Sequence, residues 1–171
     1  MHRSVNNHMT TLPTTTLIDS IVTMLTEAYE GPPNPRESWF VDNEPDSGIL
    51  GVLKNVTAAE ASTSVDGSGK SGSTIAANVE HLRWSLANVN GTFRGQQYNS
   101  NWGESWELNN ADEAEWDQLR ESLRSEYEML CTVLKQQQEL PGVYLNGVLA
   151  LIPHAAFHLG LIRQMIDRVR S

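Results

Sequence analysis

The sequence predicts an all-α protein, a four-helix bundle with long crossover connections. Apolar residues recur at spacings of three and four in four separate segments, the period of a helix with one buried face. No segment shows the period-two alternation of a half-buried strand, and Gly and Pro punctuate the segments where helices would stop.

The first segment carries Leu17, Ile18, Ile21, Leu25 and Ala28, which predicts a helix over Thr14–Tyr29 closed by Gly31-Pro32-Pro33. A long connection follows, with short helical turns expected at 48–54 and 57–61 and an exposed Gly/Ser-rich tract at 62–73. The second helix starts after Ser73 or Thr74, either of which can cap free amides, and runs along Ile75, Val79, Leu82, Leu86 and Val89 to Asn90-Gly91. Residues 92–109 read as a second long polar loop weighted with Trp102 and Trp106. Asn110, three residues before Glu113, predicts a capping box for the third helix, whose face is Trp116, Leu119, Leu123, Tyr127, Leu130 and Leu134. Pro141-Gly142 then separates it from a fourth helix over 144–169. The short link predicts that the third and fourth helices form an antiparallel hairpin.

At 171 residues the chain suits one domain, read as a loose lead-in over 1–13 and a single bundle over 14–171. Twelve basic against twenty-one acidic side chains give a net charge of -9, and Arg163, Arg168 and Arg170 are dispersed. Such a chain repels phosphate backbones, so nucleic acid is excluded as an expected partner. Cys131 is the single cysteine, which rules out an intrachain disulfide and fits a reducing compartment. The polar stretch 1–16 lacks a signal-peptide core, and the expectation is a cytoplasmic protein without a membrane span.

The chemistry concentrates in three histidines. His154 and His158 stand one helical turn apart, in a row with Leu151, Leu161 and Met165, so both imidazoles point toward the core. An i, i+4 pair can chelate one divalent transition metal. The alternative is two core histidines bonded to backbone carbonyls or to nearby Asn and Ser groups. His81 falls roughly 100° from the centre of the Ile75/Leu82/Leu86 stripe, which places it at a helix edge. Around these, Asn78, Ser85 and Gln164 are candidates to orient imidazole N–H groups, and Trp84 to wall a cavity. Glu80 reads as a surface residue and Cys131 as a small core side chain. Pro153 would set the angle of the histidine pair, and Gly160 would let a neighbouring backbone approach.

Several runs also resemble a known family. They are Glu27-Ala28-Tyr29-Glu30-Gly31-Pro32, then Leu53-Lys54-Asn55-Val56-Thr57-Ala58-Ala59-Glu60, then Ser73-Thr74-Ile75-Ala76-Ala77-Asn78-Val79-Glu80-His81-Leu82. Glu115-Trp116-Asp117-Gln118-Leu119 and His154-Ala155-Ala156-Phe157-His158-Leu159-Gly160-Leu161-Ile162-Arg163-Gln164 follow in order. Together they resemble the DinB/YfiT-like superfamily. The resemblance implies a three-histidine site of His81, His154 and His158, holding zinc or nickel with coordination positions open to a small-molecule substrate. It further implies a metal-dependent hydrolase or a transferase using a low-molecular-weight thiol, and it is compatible with a homodimer. The competing expectation is a non-catalytic metal- or ligand-binding bundle, since a fold does not fix its chemistry.

Overall fold

In the computed structural model, which describes residues 12–171, every regular element is helical. Four long helices, α1 (Thr14–Tyr29), α4 (Ile75–Phe93), α5 (Glu113–Lys135) and α6 (Gly142–Arg170), enclose one apolar core. Two short helices, α2 (Ile49–Val52) and α3 (Ala58–Ser62), lie in the first connection, where helical turns were expected. The lead-in expected over 1–13 falls outside the described residues except for Leu12 and Pro13, and Pro13 precedes the first turn of α1.

The start signals act locally. Thr57 and Glu60 form a capping box on α3, and Thr74 accepts the Ala77 amide at the start of α4. The capping box of α5 is Asp112 with Glu115, not Asn110 with Glu113. The same residue types recur two positions later, and the pair that wins is the one that begins at the first helical turn. An anionic Asp also suits the positive end of the helix better than Asn.

The packing order corrects the expected hairpin. α1 packs against α5 and α6, and α4 packs against the same two, so α5 and α6 stand across the bundle from one another. α4 and α6 run antiparallel: Asn78 meets Met165, His81 meets His154, and Phe93 stacks on Tyr144. α4 and α5 run parallel. Asn90 bonds to the Glu126 carbonyl and, one turn on, Arg94 reaches Met129. Parallel neighbours need a long return path, which residues 94–112 provide.

The first connection is fastened from beneath by one carboxylate. Glu27 is buried on α1 and accepts from the Ser38 hydroxyl and the amides of Trp39, Phe40 and Val41 at 2.8–3.0 Å. Burial by itself would raise its pKa. The four donors outweigh that and hold the carboxyl below its ordinary value. Further along, Trp116 donates its indole N–H to the Val56 carbonyl, and Gly51 lies where a Cβ would collide with the Asp46 carbonyl oxygen. Arg163 pairs with Asp42 and Arg170 with Glu60, so these cations tie α6 to the first connection.

α6 overturns one expectation. By length and composition it is apolar enough to cross a membrane. One face of it turns Val148, Leu151, Ala155, Ile162 and Met165 inward against α1 and α4, while Val143, Leu149 and Phe157 stay exposed and only a third of the apolar window is buried.

Replacing Glu27 with Gln should lower unfolding stability at pH 7 by about 2 kcal/mol, since a charged acceptor of several hydrogen bonds is lost. The folded pKa of Glu27 lies below its unfolded value. Its contribution is therefore full above the ordinary carboxylate pKa and lost as pH falls through the lower folded value. Urea unfolding from pH 7 down to pH 3 should show a shallower acid decline in Glu27→Gln than in the parent. Parallel declines would rule out this role.

Candidate metal centre

His154 and His158 share one face of α6 and point into the bundle, as the i, i+4 spacing requires. His81 comes from α4 opposite them. Among the described residues this is a group of three whose ligand atoms all lie within 4.8 Å of one another. His81 is 6% exposed and His158 4%, with His154 half-buried.

His81 is not at an edge. α4 buries residues all round its first three turns, including Ala76, Ala77, Asn78 and Ser85 as well as the predicted stripe. The reason is the 94–112 segment, which folds back over the flank that periodicity leaves open. Asn88 and Asn99 hold it through two reciprocal bonds, Asn88 Nδ2 donating to the Asn99 carbonyl and the Asn99 amide donating to Asn88 Oδ1. Its 3-10 turn at Trp102–Trp106 then lays the Trp106 ring on the His81 ring, centroids 3.9 Å apart and planes 15° from parallel.

The hydrogen bonds fix which imidazole nitrogens carry protons. The Ser105 hydroxyl donates its only proton to the Trp102 carbonyl at 2.7 Å, so it accepts from His81 Nδ1, also at 2.7 Å. Asn78 spends both amide protons on the carbonyls of Gly72 and Thr74, which turns Oδ1 toward His158 Nδ1 at 2.9 Å. An amide oxygen only accepts, so that imidazole also holds its proton on Nδ1. Both Nε2 atoms are therefore bare lone pairs. His81 Nε2 lies 2.9 Å from His154 Nε2.

That arrangement fits a metal. Two nitrogens bound to one ion at 2.0–2.1 Å stand about 2.9 Å apart at a right angle and about 3.3 Å at the tetrahedral angle. Burial pushes the pKa of His81 down to about 4, helped by neighbouring His154, and that of His158 down to about 3, helped by both others. Burial lowers His154 as well. All three rings are thus neutral at pH 7, the form a metal ligand needs. Three protein ligands leave positions open, the mark of a site that admits an exogenous molecule.

No family model, curated protein or solved structure matches this chain.

The remaining sequence candidates divide. Asn78 is the one that meets a histidine, its Oδ1 lying 2.9 Å from His158 Nδ1. Ser85 is buried but bonds to no histidine among the described residues; it lines a cavity instead. Gln164 is exposed on the outer side of α6, out of reach of the imidazoles. Trp84 touches the site only through Trp102, 5.1 Å away. Glu80 is committed to Arg83, and Cys131 is a buried core thiol whose pKa burial raises. A Cβ at Gly160 would meet nothing, so no backbone approaches there. Pro153 sits within α6 one residue before His154, on its exposed side. Ser105 and Trp106 are the functional neighbours that sequence reasoning missed. Only the aromatic weighting of their loop marked them.

A cavity of about 680 Å³ opens beside His154, between the C-terminal half of α4, the start of α6 and the 94–112 segment. A smaller cleft, about 390 Å³, lies between α2 and α5 away from the histidines.

Asn78→Ala and Ser105→Ala each free one imidazole to rotate and to change tautomer. Affinity for a divalent transition ion should fall roughly ten- to hundred-fold in each, read by competition with a chelator. An unchanged affinity in both would show that these bonds do not orient the ligands.

Proposed function

We propose that the protein is a divalent-metal-dependent enzyme of the DinB/YfiT-like kind, holding zinc or nickel on His81, His154 and His158. The observation that supports this reading most strongly is the convergence of Nε2 atoms whose opposite nitrogens are committed to Ser105 and Asn78. The sequence runs that resemble that superfamily supply the family and the choice of metal; imidazole donors by themselves suit several first-row ions.

When bound, the ion would act as a Lewis acid that lowers the pKa of a thiol or water reaching its open positions. The chain's own residues do the rest. Ser105 and Asn78 keep the Nδ1 protons in place, so the lone pairs stay aimed inward as ligands come and go. Trp106 and the buried flank of α4 exclude water from one side and leave access beside His154. The reaction class that follows is transfer to or from a low-molecular-weight thiol, or hydrolysis, on a small-molecule substrate.

A second reading, a non-catalytic metal- or ligand-binding bundle, is favoured by one observation. The cavity wall contains no Asp, Glu, Lys or Cys, and apart from His154 its reactive side chains are only the hydroxyls of Ser85, Thr92, Tyr98 and Tyr144.

Tag-free purified protein should carry close to one transition ion per chain by elemental mass spectrometry. His154→Ala and His158→Ala should abolish that content while the helical circular dichroism persists. No bound metal in the parent protein would defeat the metal reading. A panel of electrophiles with a small thiol separates enzyme from binder: turnover that disappears in the same variants is expected, and metal without turnover favours the second reading.

A further inference from the structure

The cavity beside His154 has a chemical character of its own. Twelve residues line it, and none of them is Asp, Glu, Lys or Arg. Its body is aromatic and aliphatic: Tyr98, Trp102, Tyr144, Val89, Val143 and Leu151. Its polar groups are neutral, among them the hydroxyls of Ser85, Thr92, Tyr98 and Tyr144 and the Gln96 amide. At about 680 Å³ it falls within the range of pockets that hold small molecules. His154 is the one member of the histidine group on this wall, so an incoming molecule meets the centre at one end and the aromatic wall along its length.

We infer that this cavity selects a neutral ligand with an aromatic or aliphatic body, its donor atom directed at the histidines. The inference rests on the metal reading for the role of that donor atom, but the selectivity comes from the wall. A carboxylate or phosphate held along the aromatic wall, away from the His154 end, would lose its hydration with no cationic side chain there to receive it. The chain's net charge of -9 further disfavours an anion's approach. A thiol that serves this site is therefore an uncharged one, and a polycarboxylate thiol is excluded. Aromatic surfaces at Tyr98, Trp102 and Tyr144 reward a flat apolar body instead.

The test compares benzyl mercaptan with its ortho- and para-carboxylated analogues by isothermal titration calorimetry, on cobalt-loaded and on metal-free protein. The thiol and ring are common to all three, so only the carboxylate differs. Benzyl mercaptan should bind at least tenfold more tightly than either analogue in both forms, and more tightly with cobalt present. Ala150→Lys adds a cation to the exposed rim of the wall and should narrow the ratio at least threefold. The para analogue matching the parent thiol in either form, or the ortho analogue matching it on metal-free protein, overturns the inference, as does a ratio that Ala150→Lys leaves unmoved. A protein that takes up no cobalt, seen in its visible absorption, refutes the metal reading alone, and the metal-free titrations then still decide the selectivity.

Discussion

A hydroxyl has one proton, and Ser105 gives its proton to the Trp102 carbonyl, so toward His81 it can only accept. That bond fixes the imidazole's tautomer and leaves its Nε2 lone pair in the bundle interior. The same logic acts on His158 through Asn78, whose amide is turned by two backbone carbonyls at the start of α4. Each constraint is local, inexpensive in residues and indifferent to whether a ligand is present. Two of three donors are thus oriented before any ion arrives, and the entropy of ordering them is met during folding rather than at binding.

How much of this was legible in the sequence depends on the distance over which each feature is determined. Helices α1, α4 and α6 were readable to within a few residues, because apolar periodicity and the Pro/Gly stops act over one or two turns. The pairing of His154 with His158 was readable for the same reason. His81 was misjudged as an edge residue, since periodicity assumes a helix with one buried face. α4 has a second one, made by a segment whose own sequence looks like a polar loop. Ser105 lies 24 residues from His81, and no local pattern links a serine in a 3-10 turn to a histidine on a helix. The expected hairpin failed on similar ground. A short link between α5 and α6 fixes where one helix begins relative to the other's end, but it does not make them neighbours.

The two long connections therefore do different work. Residues 94–112 allow α4 and α5 to run parallel, and the length that this topology demands is used to roof the histidines with Trp102 and Trp106. The first connection is knitted to the core by a single buried carboxylate, Glu27, and by the cations of α6. Exposed Trp39 and Phe40 remain on its outer side, their backbone amides held although their rings are free. At residues 38–41 the connection is held by satisfied backbone donors, whereas further along Ile49, Leu53, Val56 and Ala61 anchor it by burying apolar area in the core.

Three desolvated imidazoles in one interior are a poor way to stabilise a bundle. Each depressed pKa means that the folded chain resists a proton the unfolded chain accepts, so the cluster weakens the fold as pH falls below about 6.5, the ordinary imidazole value. Leucines at these positions would fill the space without that liability. The surrounding sequence nonetheless spends a buried asparagine, a buried serine and a stacked tryptophan on keeping the rings in place. Structural histidines need partners for their protons, and two of these have them. The third ring differs: no partner fixes the tautomer of His154, whose Nε2 lies 2.9 Å from the His81 lone pair, able to donate a proton to it or to share an ion with it, next to a cavity wide enough for a small molecule. A local arrangement that costs stability and points at an open space is where a function is expected to reside.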